Sequence, residues 1–341
     1  MKTFAFLFHA DNIRQVREFW PITRIVPDFF IKRFLKNQEF KVIHIKSVKS
    51  STNEEVQGYF IVSPALPKTN GEPDPELQEE LILDKIITAG FLAKDLGAQI
   101  LGLGGYVSFV ADKKPMIYKH VKIPITSGTA FTAWSVVEGV YRKAKEKGID
   151  LKKSSLAVIG ADCGLGSLCS RKLSEYCPMI TLSGSQRSKL DALKTMIQNM
   201  SKAEVVIEQD SQKAANDADI VIITSLEPKA TFSLDSLKPH SIVCDLCLSK
   251  AIDDKELQNK SSGIIEGGLV KLPNSVHIGI SLGLPKDTVC ASMAETILLT
   301  LEGKFATYSL GDPINFDKLE EIANIAVKHG FEVWTPDSEA P

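Results

Sequence analysis

Apolar and polar positions follow two rhythms along the chain. In the first ~125 residues, short apolar runs (TFAFLF, FKVIHI, VQGYFIV, AQILGLGG and IPIT) are separated by polar stretches. Runs this short, rich in Val, Ile and Phe, read as strands. ELILDKIITAGFLAKDLG spaces its apolar residues as a helix does and stops at Gly97, a C-terminal cap. PALPKTNGEPDPEL, dense in Pro, Gly and Asn, reads as a loop. GLGGYVSF, residues 102–109, reads as a strand-to-loop transition that opens a cleft. TSGTAFTAWSVVEGVYRKAKEKGIDL predicts a long helix capped by Thr126 or Ser127 and ended by Gly148.

From Ser154 to about Ile280 strands and helices alternate: SLAVIG, MITLSG, EVVIEQ, ADIVIITS, SIVCDLC, GIIEGG and SVHIGI are the strand candidates. That rhythm predicts a parallel, doubly wound sheet. After Asp287 the pattern is mainly helical. The expected fold class is α/β, a Rossmann-type doubly wound parallel sheet plus a smaller N-terminal α/β domain. The expected division is residues 1–125 as an N-terminal substrate domain, 126–150 as a connecting helix and 151–285 as the dinucleotide-binding domain. Residues 286–341 are then helices packing back on the substrate domain.

SSLAVIGADCGLGSLCSRKLSE carries the strongest motif. A β-rich strand ends in Gly160, Gly164 and Gly166 follow, and a helix starts. A tight turn and a close pyrophosphate both favour residues without Cβ, and a helix N-terminus offers free N–H groups and positive potential. The spacing is G-x-x-x-G-x-G, looser than the usual dinucleotide fingerprint, but it lies between strand and helix. The expected cofactor set is Gly160, Ala161, Asp162, Cys163, Gly164, Leu165 and Gly166, with Thr224 and Ser225 at a later strand end. NAD-selective sites place an acid after the second strand. Here Ser183, Gly184, Ser185 and Gln186 are followed by Arg187 and Lys189, with no carboxylate in that run. Hydroxyls and cations suit a 2′-phosphate, so NADP(H) is the expected cofactor.

Net charge is −2, which gives no pull toward nucleic acid. No apolar run approaches the ~18 residues of a membrane helix. MKTFAFLFHADNIRQVREF has too short an apolar block for a signal peptide and reads as a first strand. The six cysteines form no disulfide framework and read as free thiols of a cytoplasmic protein. CDLC, with Cys244 and Cys247, has half the ligands of a zinc site and nothing to complete it, so no metal is expected. The Tyr141 and Lys145 pair in YRKAK precedes the glycine loop and reads as a solvated helix face.

Several blocks, in order over essentially the whole chain, carry a family likeness: FAFLFHADNIRQVRE, LGLGGYVSFV, ITSGTAFTAW, AVIGADCGLGS, IEGGLV, and MAETILLTLEGKFATYSLG through IANIAVKHGF. The chain resembles the cyanobacterial long-chain acyl-[acyl carrier protein] reductases, and more distantly two-domain shikimate dehydrogenase-like enzymes. The resemblance implies reduction of an acyl thioester, on acyl carrier protein or CoA, to an aldehyde with NADPH, through an acyl-enzyme on cysteine. A homo-oligomer is compatible with it; nucleic acid and stable membrane insertion are not expected.

Three positions depart from the family pattern. Its nucleophilic cysteine lies three residues before the Glu of the AET block, where this chain has Ser292; Cys290 lies two residues earlier. Two helical residues are about 200° apart, so Cys290 replaces Ser292 only if the first turn is irregular. Cys163 stands where the family has a middle glycine, and Phe131 where it often has a histidine. Cys290, in KDTVCASMAE, is read just inside a helix beginning near Thr288. Three readings of it stay open, an acyl-accepting nucleophile, a small buried thiol and a redox-sensitive or regulatory thiol, and Ser292 is read as orienting substrate or as an ordinary helix residue. The likeness places His9, Gly104, Gly105, Tyr106, Ser108, Thr126 and Gly128 in the substrate-binding set. Glu295 is read as orienting Cys290 or capping a loop, Glu266 as bordering the nicotinamide crevice, and His277 as structural. Two other functions stay open: direct hydride transfer on a small carbonyl or hydroxy acid, and a dinucleotide-binding sensor without catalysis.

Overall fold

The computed structural model describes residues 1–10, 13–36, 38–64, 75–224, 233–246, 264–265, 267–274, 284–311 and 313–335. The chain divides into two compact units. The first comprises Met1–Phe131, Val270–Asp312 and Glu321–Glu332, the second Thr132–Leu269, Pro313–Glu320 and Val333–Pro341.

The first unit is built on five strands: β1 Thr3–His9, β2 Lys41–Lys49, β3 Glu55–Ser63, β4 Ile100–Leu103 and β5 Ile125–Thr126. Their order is β2-β3-β1-β4-β5, and only β2 runs antiparallel to its neighbour. Central β1 buries Phe4, Ala5, Phe6 and Leu7 completely, because helices cover both faces. Edge strand β2 alternates buried and exposed positions instead. Helix α1 spans Ile13–Phe19 and α2 Asp28–Lys36. Helix α3, Pro75–Asp95, starts inside the stretch read as a loop, since Pro at the first helical position needs no N–H partner. Helix α4, Tyr106–Lys113, follows β4 directly, so GLGGYVSF is a strand-to-helix turn and not a strand-to-loop transition.

The second unit holds β6 Ser155–Ile159, β7 Met179–Ser183, β8 Glu204–Ile207, β9 Ile220–Ile223, β10 Ile242–Asp245 and β11 Ile264–Ile265. They form one parallel sheet of order β11-β10-β9-β6-β7-β8, the Rossmann-type arrangement expected from the rhythm. Apolar side chains pack on both faces: Leu156, Val158, Ile220 and Ile222 on one, Ala157, Ile159, Val221 and Ile223 on the other. Helix α5 spans Thr129–Lys147, α6 Gly164–Leu173, α7 Arg187–Met200 and α8 Ser211–Asn216.

A three-stranded sheet of order β13-β12-β14 joins β12 Leu269–Lys271, β13 Thr288–Cys290 and β14 Glu332–Val333. Helix α9, Ala291–Glu302, leaves β13 at once and packs on β4, β1 and β3. Ten of its residues are buried, including Glu295, which marks a core helix rather than an amphipathic one. Helix α10 spans Asp317–His329.

Candidate functional site

Both large sheets change winding direction beside their first strand, and in open α/β sheets ligands bind outside the carboxyl ends at such a point. In the second unit the chain runs β6, β7, β8 to one side and then returns to β9 on the other. The glycine loop sits at the end of β6. Gly160 adopts φ +82°, a region that favours glycine. The N–H groups of Gly160 and Ala161 donate to Ser183 O at 2.8 and 2.9 Å, which extends the pairing with β7. A Cβ on Gly166 would lie 2.4 Å from Gly160 O, so only glycine lets α6 start this close to the strand. Thr224 Oγ1 lies 3.0 Å from both Ile159 O and Gly160 O and ties β9 to the loop.

Cys163 caps α6. Its sulfur accepts from Gly166 N–H at 3.4 Å and its thiol contacts Thr224 Oγ1 at 3.5 Å, while burial pushes the thiol pKa up. Cysteine therefore fills this turn without breaking it. A cradle open to close approach, a left-handed glycine and a helix N-terminus are the features a dinucleotide pyrophosphate needs, so these residues fit that group.

The end of β7 differs from the expectation that no carboxylate is available there. Asp162 reaches across from the glycine loop, accepting from Ser185 Oγ at 3.0 Å and Gln186 N–H at 2.8 Å. A Cβ on Gly184 would lie 2.3 Å from its Oδ1. The acid comes from the loop rather than the strand, so the run after β7 did not reveal it. Ser183 is fully buried, its hydroxyl facing Gln209 O and Ser211 Oγ at 3.4 Å. Ser185, Arg187 and Lys189 are exposed, and Arg187 pairs with Asp191 at 3.2 Å.

In the first unit, β1 has β3 on one side and β4 on the other. The carboxyl edge gathers His9 and Ser63, the turn of Gly104 and Gly105 into α4, and Thr126 to Gly128 after β5. His9 is buried, with Nδ1 2.9 Å from Ala10 O, and burial lowers its pKa to about 4. Gly105 has φ 60° and ψ −135°, outside the basins of L side chains. Tyr106 stands on the first turn of α4, its phenol pKa raised by burial. Ser108 is helical, not a loop hydroxyl, and it donates to Gly105 O at 2.8 Å.

Cys290 is not inside a helix. It ends β13 and caps α9 with extended angles, φ −65° and ψ 146°, and is half-buried. That irregular turn overrides the 200° separation: Ser292 Oγ donates to Cys290 Sγ at 3.4 Å. The turn at Gly128, with φ +76°, packs on the same corner, where an added Cβ would lie 2.2 Å from Ser292 Cα.

Behind this corner is a buried polar cluster. The hydroxyls of Thr126 and Ser309 donate to Glu295 Oε1, and Phe131 N–H donates to Oε2 at 2.8 Å. Glu295 thereby caps the first turn of α5 from another helix. Asp112 on α4 was not singled out by the sequence, which has no motif there. Its Oδ1 accepts from Gly311 N–H at 2.9 Å, and Oδ2 lies 2.9 Å from Thr129 Oγ1. Thr129 Oγ1 is 2.9 Å from Ser127 Oγ, which donates to Ser309 O. Thr129 Oγ1 donates to Asp112 Oδ2. Burial, opposed by these hydrogen bonds and reinforced by Glu295, pushes the Asp112 pKa up to about 7.

Cys169, Cys177 and Cys244 are buried, and burial raises their thiol pKa values, to about 12 for Cys177 and Cys244. Ser225, Cys247, Glu266 and His277 lie outside the described residues. Among the described residues no group of three His, Cys, Asp or Glu is arranged to hold a metal, and no helix is long and apolar enough to cross a membrane.

No family model matches the chain. Against a long-chain acyl-[acyl-carrier-protein] reductase of Synechococcus elongatus it is 24% identical over 301 residues, covering 84% of this chain and 85% of the other. The chain is similar to that reductase over most of its length. An aminotransferase PigE of a Serratia strain is 26% identical over 245 residues, 70% of this chain, and the match spans 28% of PigE's length. The shikimate 5-dehydrogenase of Listeria monocytogenes, in a crystal structure with shikimate and NAD, overlays 94% of this chain and 96% of its own with a TM-score of 0.36 and 12% identity.

Proposed function

We propose that the protein is an NADPH-dependent oxidoreductase that reduces an acyl thioester, carried by acyl carrier protein or CoA, to an aldehyde, with Cys290 as the acyl acceptor. The observation that carries this reading is the position of Cys290: a half-buried thiol at the N-cap of α9, with a hydroxyl donor 3.4 Å from its sulfur. A helix N-terminus favours the thiolate over the thiol, and Ser292 donates to whichever form is present. The likeness to the acyl-[acyl-carrier-protein] reductase supplies the substrate class.

The thiolate of Cys290 attacks the acyl carbonyl carbon. An S–C bond forms, the bond to the carrier sulfur breaks, and the carrier thiolate leaves and takes a proton from water. NADPH, when bound at the glycine loop, supplies the hydride that brings the acyl carbon to the aldehyde level. Cys290 then departs as thiolate and the aldehyde is released. Ser292 holds the sulfur through both steps, and Glu295 and Gly128 fix the backbone around it. The 2′-phosphate of NADPH is assigned to the exposed Ser185, Arg187 and Lys189, with Asp162 already engaged by Ser185 and Gln186.

Aldehyde release from acyl-carrier-protein and acyl-CoA thioesters, matched to NADPH oxidation, tests the reading. Cys290→Ala is expected to lose about a thousandfold or more in kcat. Turnover that survives this substitution assigns the protein to direct hydride transfer on a free carbonyl compound instead.

A further inference from the structure

Three buried polar side-chain atoms of the first unit have no hydrogen-bond partner among the described residues: His9 Nε2, Ser63 Oγ and Arg17 Nε, and the first two end neighbouring strands. Those two are not independent. His9 ends β1, Ser63 ends β3, and the two are register partners. Parallel neighbours lie ~4.8 Å apart with side chains in register on one face, so both orphaned atoms belong to the same face of the same sheet edge. Each residue is 1% exposed. Buried polar atoms in native proteins almost always have a partner. Two together, at the carboxyl ends of parallel strands and beside the winding reversal at β1, mark a place where a ligand completes the pairing.

The ring chemistry narrows that ligand. Nδ1 lies 2.9 Å from Ala10 O. A carbonyl only accepts, so Nδ1 carries the proton of the neutral ring and Nε2 presents a lone pair. Burial keeps the ring neutral down to a pH of about 4. A carboxylate or phosphate would set an acceptor against that acceptor. The matching group is a neutral donor, with the Ser63 hydroxyl free to donate or accept beside it. Across β1 the chain turns through Gly104 and Gly105, which offer a wall without side chains.

We propose that His9 and Ser63 form a subsite for an uncharged hydrogen-bond donor of the substrate, an amide N–H or a hydroxyl. On the acyl-thioester reading, this is the pantetheine arm that acyl carrier protein and CoA thioesters share, and that assignment rests on that reading.

The test follows the His9 Nε2 nitrogen resonance in 15N-histidine-labelled protein as free pantetheine, which has amides and hydroxyls, or N-acetylcysteamine, which has only an amide, is added. A saturable upfield shift is expected. A response to both compounds assigns the donor as the amide nearest the thiol, and a response to pantetheine alone as the second amide or a hydroxyl further along the arm. Ser63→Ala is expected to weaken pantetheine binding about threefold to tenfold. Its Tm should equal or exceed that of the parent, because the substitution removes an unpaired buried hydroxyl. A structural role would give the reverse, a lower Tm with unchanged binding, and would overturn the proposal. An unmoved His9 resonance would also overturn it. Aldehyde formation beside an unmoved resonance removes the subsite and leaves the reductase reading intact. A saturable shift in a protein that forms no aldehyde removes the reductase reading and leaves the subsite.

Discussion

The two sheets reach the same device by different means. In the second unit the crevice at the winding reversal is made of backbone: Gly160 and Gly166 clear the space, and the N-terminus of α6 faces it. In the first unit the corresponding edge is made of side chains: His9 and Ser63 at the ends of β1 and β3, and Cys290 and Ser292 at the start of α9. A backbone cradle recognises a phosphate that many ligands share. A side-chain edge carries the chemistry particular to one substrate. On the proposed function, the difference puts substrate specificity at the side-chain edge, and it makes each edge breakable alone.

The largest effects are expected from the glycines. Gly166→Ala puts a methyl 2.4 Å from a carbonyl oxygen and is expected to lower NADPH affinity at least about a hundredfold, while the His9 response to pantetheine stays intact. Gly128→Ala puts one 2.2 Å from Ser292 Cα and is expected to remove acyl transfer while isothermal titration still shows NADPH binding. Loss of both functions in either variant would erase the distinction.

Glu295 comes next. Glu295→Ala strands Thr126, Ser309 and the Phe131 N–H in a dry interior and is expected to cost about 3 kcal/mol or more in urea unfolding. Glu295→Gln keeps one carbonyl acceptor and is expected to cost about half as much.

The pH dependence of stability sharpens the account of the side-chain edge. His9 has a native pKa of about 4 against 6.5 when unfolded. The unfolded chain binds the proton first, so this contribution is lost as pH falls from 6.5 to 4, by about 3 kcal/mol in all. Asp112 runs the other way: its native pKa is about 7 against 3.8. The native state keeps a proton the unfolded state has lost, so stability drops as pH rises from 4 to 7. Denaturation between pH 4 and 7 is expected to lose the first slope in His9→Phe and the second in Asp112→Asn. The smallest effect is expected from Arg187→Ala, with a preference for NADPH over NADH reduced about tenfold.

What could be read in the sequence depended on whether the cause was local. The glycine loop was legible because its turn, strand and helix follow each other within a dozen residues. The parallel sheet was legible because strands buried on both faces are continuously apolar. The relation of Cys290 to Ser292 stayed conditional in the sequence because helical periodicity does not apply to an extended cap. Asp162 was expected in the glycine loop but not at the end of β7, which it reaches from another segment. Ser63 and Asp112 carry no motif, and their roles arise from strand register and from a chain of hydroxyls that only the fold assembles.

The most direct test of the central claim is the intact mass of the protein after incubation with a long-chain acyl-CoA in the absence of NADPH. The account predicts an added acyl group, mapped to Cys290, absent from Cys290→Ala, and discharged as aldehyde when NADPH is supplied. An unchanged mass, with Cys290→Ala turning over as the parent does, would contradict it.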